Sequence, residues 1–247
     1  MKLFTKKIIF FSSFVLVGLS IFFVWICLFF DEVLFVRKST IYHVDTPLKM
    51  VALTFDDGPS PEWTPKILAV LKENKVKATF FMLGRHVKAY PQIARMVVAQ
   101  GSEVGNHTYN HMVIFNSSTV KLEKEIKDTE KAIKEATGLT PVLMRPPKGW
   151  VTDKDKKLIN KLGYETILWS LNSKDWVTFD DKYIVKFIMA RVKPGDIILF
   201  HDSGGFFGTE GGNRDETVRA VSMLVEKLKA RGFVLTTVSE LLASRNP

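Results

Sequence analysis

The sequence predicts an α/β fold, a distorted (β/α) barrel of about seven parallel strands preceded by a transmembrane helix. Three observations carry this expectation. Strand-like and helix-like segments alternate about seven times after Met50. The unusual polar residues fall just after apolar strand candidates, which in a parallel barrel is the C-terminal face where active sites are built. Ahead of all this, Ile8–Phe30 runs 23 residues without a charge. At about 1.5 Å per residue that is a helix of roughly 35 Å, long enough to span a bilayer with some tilt.

The N-terminal reading sets the domain plan. Residues 1–7 form a basic leader with Lys2, Lys6 and Lys7, and 8–30 is the anchor. Residues 31–49 read as a linker and 50–247 as one folded domain. The apolar run is longer than a signal-peptide core, and Phe29-Phe30-Asp31-Glu32 offers no small-residue cleavage site, so the anchor is expected to stay uncleaved. Lysines before the span place the N-terminus in the cytoplasm, although Arg37 and Lys38 beyond it weaken the asymmetry. The expectation is a single-pass protein of the cell membrane with its C-terminal domain extracytoplasmic.

The single cysteine, Cys27, lies inside the apolar run, so no internal disulfide is possible. The formal charge of +9 fits an anionic polymer such as a bacterial wall. No basic stripe with interleaved aromatics points to nucleic acid. A 46% apolar fraction supports a sizeable core and excludes wholesale disorder. Oligomeric state is not legible.

Within the domain, Met50–Phe55 is the first strand candidate, followed by a helix over Pro65–Glu73, a strand over Ala78–Met82 and a helix over Pro91–Ala99. Glu103–Gly105 is a brief strand. Leu122, Ile126, Ile133 and Ala136 then line one face of a long helix that ends before Gly138, with a solvated charged face opposite. Strands over Val142–Met144, Thr166–Ser170, Asp196–Phe200 and Phe233–Thr236 alternate with helices over Asp153–Leu162, Asp180–Arg191 and Thr217–Lys229.

The chemistry gathers at strand ends. Asp56 and Asp57 precede Gly58-Pro59. Two carboxylates so close raise one another's pKa unless a cation compensates, yet Asp-Asp-Gly-Pro is also strong turn chemistry, and both readings stay open. His107 and His111, two of only five histidines, are spaced i and i+4, and on a helical turn that pair can chelate one metal ion. Arg145 and His201 also follow strand candidates. His43 and His86 read as linker and as loop or helix start. The glycine-rich stretch Ser203–Gly212 lacks the Gly-Lys-Ser/Thr ending of a phosphate loop. It reads as an active-site rim, with Phe206 or Phe207 touching sugar.

Together the pieces resemble the NodB-homology polysaccharide deacetylases of carbohydrate esterase family 4. Thr54-Phe55-Asp56-Asp57-Gly58-Pro59 matches the first family motif, and His107-Thr108-Tyr109-Asn110-His111 matches the second. Arg145-Pro146-Pro147-Lys148-Gly149 resembles the third, Asp175-Trp176 the end of the fourth, and Leu199-Phe200-His201 the fifth. The resemblance runs from about Met50 to Leu242. It implies one divalent metal, zinc foremost or cobalt, held by Asp57, His107 and His111. It implies Asp56 as general base paired with Arg145, and His201 as general acid oriented by Asp175. Lys148 would place a backbone N–H on the oxyanion, and Trp176 and Leu199 would form the slot for the acetyl methyl. The implied substrate is a wall polysaccharide, with peptidoglycan N-acetylglucosamine ahead of chitooligosaccharides and of O-acetyl esters. A non-catalytic glycan-binding protein on this fold would lack some of these residues. Two departures stand out: Lys148 replaces a usual aromatic, and Asn172 a frequent Asp.

Overall fold

The computed structural model describes residues 17–20, 22, 39–114, 117–178, 180–204 and 212–245. The chain divides into two compact units, Met1–Phe35 and Val36–Pro247. In the first, residues 17–20 and 22 are helical. The predicted leader 1–7, most of the anchor 8–30 and linker residues 31–38 lie outside the described residues. No helix among the described residues is long and apolar enough to cross a membrane.

The second unit follows the expected alternation. In chain order it comprises β1 (Met50–Asp56), α1 (Trp63–Glu73), β2 (Thr79–Met82), α2 (Gly84–Ala89), α3 (Pro91–Ala99), β3 (Glu103–Asn106), α4 (Thr119–Thr137) and β4 (Leu143–Met144). A short 3₁₀ turn (Pro147–Gly149), α5 (Asp153–Lys161), β5 (Glu165–Thr166), β6 (Leu171–Asn172), α6 (Asp181–Met189), β7 (Ile197–His201), α7 (Asp215–Ala230), β8 (Val234–Thr236) and α8 (Val238–Ala243) complete it. The strands form one sheet in the order β5-β4-β3-β2-β1-β7-β6, with β8 also paired to β1. Every pairing is parallel. The path of seven strands is the incomplete barrel that the alternation predicts. The long helix behaves as read: Ser118 caps it by accepting from the Lys121 N–H, and Gly138 ends it at φ 77°.

Side-chain parity along β1 divides core from site, because successive residues of a strand point to opposite faces. Val51, Leu53 and Phe55 join the larger cluster with residues of the covering helices, among them Ile67, Leu224 and Val225. There the Phe55 ring lies 5.0 Å from Phe80 and 5.8 Å from Phe200. Ala52 instead joins Phe81, Ile197 and Leu143 in the barrel interior. Thr54 and Asp56 share that inward face.

Two expectations are corrected by the structure. The predicted strand Thr166–Ser170 is not a continuous strand: Thr166 ends β5, which pairs β4, and β6, which pairs β7, begins beyond it at Leu171. Ile167, Leu168 and Trp169 between them are buried. They cross the seam between the two sheet edges, so their apolarity reflects burial on both sides rather than a continuous ladder. The last part of the predicted linker also packs onto this seam. Ile41 bridges Ile167, its carbonyl accepts from the Leu168 N–H, and Val44 is buried.

Candidate active site

The C-terminal ends of β1, β3, β4 and β7 bring Asp56, Asp57, His107, Arg145 and His201 together. Asp56 and His201 are register partners on adjacent strands. Arg145 is fully buried in the barrel interior. Its Nη1 donates to Asp56 Oδ1 (2.8 Å) and to Thr54 Oγ1 (2.7 Å), and its Nη2 donates to the Leu168 carbonyl (3.0 Å). The Phe81 ring lies 4.2 Å from the guanidinium carbon. A buried guanidinium is tolerable only with this complement of acceptors and an aromatic face. Burial nevertheless raises the Asp56 pKa, although Arg145, His201 and His111 pull it down. Arg145 thus opposes the protonation of Asp56 without overcoming burial.

Asp57, His107 and His111 form the one group among the described residues whose ligand atoms could hold a metal ion, all lying within 4.8 Å of one another. Asp57 Oδ1 is 3.6 Å from His107 Nε2 and 3.3 Å from His111 Nε2. In a tetrahedral zinc site with bonds of about 2.0–2.1 Å, ligand atoms stand roughly 3.3–3.4 Å apart. The protonation pattern fits as well. His107 Nδ1 lies 2.8 Å from the Arg145 carbonyl, so it carries the hydrogen, and the neutral ring turns a lone pair toward Asp57. Burial depresses the pKa of His107 to about 3 and lowers that of His111, which keeps both neutral as metal ligation demands. Among the described residues, Asp57 Oδ1 is itself buried without a hydrogen-bond partner. Three electron-pair donors facing one another around an unpaired carboxylate oxygen is the chemistry of a cation site.

The two histidines do not lie on a helical turn, contrary to the expectation from their spacing. They occupy an irregular loop in which Thr108 and His111 have φ of 65° and 59°. Asn106 Oδ1 accepts from the Thr108 N–H, and Thr108 Oγ1 accepts from the Met112 N–H. Such side-chain bonds compete with a helix ladder. Glu125 of α4 pins the loop by accepting from the Asn110 backbone and side chain.

His201 forms the second acid–base pair. Its Nδ1 lies 2.9 Å from Asp175 Oδ1, and its backbone N–H donates to Asp175 Oδ2. Burial alone would lower the His201 pKa, but the charge and hydrogen bond of Asp175 outweigh it and leave it raised. Leu199 is buried two residues earlier on the same face, and Trp176 is partly exposed beside Asp175. Lys148 has a left-handed backbone (φ 59°) in the 3₁₀ turn, with its side chain exposed. Asn172 supports the site locally, its Oδ1 accepting from the Lys174 N–H. Residues 205–211, including Phe206 and Phe207, lie outside the described residues. A cavity of about 410 Å³ lined by Ser60, Trp63, Arg85, Tyr90 and Ser203 adjoins the β1 turn.

Sequence reasoning missed several supporting residues. Thr217 and Ser173 hydroxyls donate to Asp175, and buried Arg214 donates to the carbonyls of Asp175 and Ser203. Asp202 is fully buried, accepts from Thr64 Oγ1 (2.5 Å), and has its pKa pushed up to about 7 by burial and the Asp57 and Asp56 charges. The adjacency of Asp202 to His201 was the available signal. Thr217 and Arg214 gave none, since they resemble an ordinary helix start.

A group that could hold a metal ion, beside the Asp56–Arg145 and His201–Asp175 ion pairs at the strand ends of a parallel barrel, defines the class: an α/β-barrel hydrolase. The family model for polysaccharide deacetylases matches residues 43–167. The chain belongs to this family, the NodB-homology deacetylases of carbohydrate esterase family 4, and is a polysaccharide deacetylase. It is 41% identical over 200 residues to a peptidoglycan-N-acetylglucosamine deacetylase of Bacillus cereus, covering 78% of this chain and 88% of that one. It is 36% identical to a chitooligosaccharide deacetylase of Sinorhizobium fredii, covering 81% and 95%. Among solved structures it resembles the Bc1960 peptidoglycan N-acetylglucosamine deacetylase, with a TM-score of 0.78, 30% identity, and 84% and 95% of the two chains covered.

Proposed function

We propose that this protein removes N-acetyl groups from N-acetylglucosamine-type residues of an extracytoplasmic polysaccharide, peptidoglycan foremost, while anchored in the cell membrane by residues 8–30. The observation that carries the chemistry is the convergence of the Asp57–His107–His111 group with the Asp56–Arg145 and His201–Asp175 pairs. The Bacillus cereus relative supports the polymer, and the charge-free run after three lysines supports the location.

A divalent cation held by Asp57, His107 and His111, zinc in the first instance and cobalt in the second, would lower the pKa of water and polarise the acetyl carbonyl. Asp56 acts as the base. Arg145 occupies its Oδ1, so Oδ2, 3.8 Å from His107 Nε2, takes the proton of the attacking water. His201 acts as the acid. With Nδ1 committed to Asp175, its Nε2 gives a proton to the amine nitrogen as the C–N bond breaks and acetate leaves. The Lys148 backbone N–H stabilises the oxyanion, and Trp176 and Leu199 receive the methyl group. Chitooligosaccharide deacetylation is the second reading, favoured by the Sinorhizobium fredii relative. A purely glycan-binding role is disfavoured because no member of this constellation is missing.

The deciding experiment is acetate release from purified peptidoglycan and from N-acetylchitooligosaccharides, side by side, with zinc or cobalt and a chelator control. Chelator-sensitive release from peptidoglycan is the expected result. Preference for the free oligosaccharides would transfer the proposal to the second reading. No release from either, with metal bound, would refute both.

A further inference from the structure

Both carboxylates of the site sit on the Asp56–Gly58 turn, and three successive carbonyls hold that turn. Asp56 O accepts from the Asp202 N–H (3.1 Å), and Gly58 O accepts from the Leu83 N–H (2.9 Å). Asp57 O, which belongs to the candidate metal ligand itself, is held by a side chain, His86 Nδ1, at 2.7 Å. The same short segment also reaches the loop that carries the two histidine ligands. The Gly84 N–H donates to Thr108 O (3.1 Å) and the Arg85 N–H to Tyr109 O (3.2 Å). Four consecutive residues, Leu83 to His86, therefore grip the two ligand-bearing loops at once. The approach is so close that a Cβ on Gly84 would lie 2.4 Å from the Tyr109 ring and 2.8 Å from the Thr129 backbone.

We propose that His86 is a positioning residue for the metal site. It fixes the peptide plane of Asp57, which has φ 77°, and so the direction in which the Asp57 carboxylate meets His107 and His111. A carbonyl has no proton to give, so Nδ1 must carry the hydrogen, which fixes the tautomer. His86 is buried at 5% exposure on α2, whose first turn is held by the Thr108 and Tyr109 carbonyls, so its ring has little freedom to follow a displaced Asp57. Its action is through the ligand's backbone, as outer partners of metal ligands orient them.

The inference rests on the metal reading above, and its test is metal affinity rather than turnover. Zinc binding by the full chain would be measured by competition with a chromophoric chelator, with folding followed by circular dichroism. His86→Leu is expected to weaken zinc binding about 10–100-fold, the usual cost of losing an outer partner. His86→Asn places an amide N–H where Nδ1–H stood and is expected to recover most of that loss. His86→Gln sets its amide one bond further out and is expected to remain weak. Should His86→Leu fail to fold, the Asn and Gln variants decide the matter, and equal affinities would overturn the proposal. A folded His86→Leu with wild-type affinity would overturn it too. Failure of the wild type to bind zinc would instead overturn the metal reading and this inference with it.

Discussion

Replacing Asp175 with asparagine tests the acid–base pair on which His201 depends. Asp175 accepts four hydrogen bonds, from the His201 ring, the His201 backbone, Ser173 and Thr217. Burial would raise its pKa, but the charge and hydrogen bonds of His201 outweigh burial and hold it at about 2 against an ordinary 3.8. At about 1.36 kcal/mol per pKa unit, that gap favours the folded state by roughly 2.5 kcal/mol. Because the folded pKa is depressed, the contribution is complete above the unfolded value near 4 and fades as pH falls toward about 2. Asp175→Asn keeps the shape and removes the charge. At neutral pH the variant should unfold about 5–10 °C lower than the wild type, given the usual shift per kcal/mol for a domain this size. The difference should shrink below about pH 4 and nearly vanish at about pH 2. The raised pKa of His201 is the same pairing seen from its partner and adds no second energy. It does add a kinetic signature. With His201 as the acid of the proposed reaction, its catalysis would be lost as pH rises through its pKa, so the alkaline limb of kcat should move to lower pH in the variant. Thermal unfolding from neutral to acidic pH, together with a pH–rate profile, reads both effects. A stability difference unchanged down to about pH 2, or an unmoved alkaline limb, would refute the pairing as the source of the shift.

Other perturbations separate the roles of neighbouring residues. Asp56→Asn should retain metal while losing nearly all turnover, whereas His107→Ala should lose metal as well, both checked by equilibrium dialysis beside acetate release. Arg145→Met leaves a buried carboxylate without its cation. Breaking such a pair costs about 3–5 kcal/mol, so denaturant unfolding should show a larger loss than Asp175→Asn. Gly58→Ala would place a Cβ 2.2 Å from Asp202 Oδ2. Overpacking of that kind costs about 1–3 kcal/mol, and a second substitution, Asp202→Ala, should recover part of it in the same unfolding assay.

The alternation of elements was legible because most strands are short apolar runs and the longer helices carry an apolar stripe. Pro91–Ala99 and the stop at Gly138 came out as read, since proline at a first helical position and glycine after a last one act locally. The seam was not legible. Whether Thr166–Ser170 is a strand or the crossing between two depends on which edges its ends pair with, and pairing is not encoded in a stretch of five residues. The short helix α2 was legible only in part, with His86 read as loop or helix start, for a related reason. Gly84-Arg85-His86-Val87 has no helical stripe, and its helix is held from outside by the carbonyls of Thr108 and Tyr109.

The site was legible to a different degree for each kind of residue. Side chains that present chemistry directly (Asp56, Asp57, His107, His111, Arg145 and His201) stood out because polar residues just after apolar strands, and a pair of histidines four apart, are unusual. The structure brings all six together. The backbone that carries them was not legible. The spacing of His107 and His111 pointed to a helix, yet a loop with two left-handed residues delivers both imidazoles to one carboxylate. Side-chain spacing constrains which residues can meet, while hydrogen bonds from distant segments decide how they meet. Asp57, Thr108, His111, Lys148 and Lys174 all have positive φ, and all lie in loops of the barrel's catalytic face. Non-glycine residues hold such conformations only when their surroundings over-determine them. The contacts that do so, from His86, Asn106, Glu125 and Asn172, come from residues that look unremarkable in sequence. Precision at this site is therefore a property of its supporting residues, and substitutions among them should alter activity before they abolish the fold.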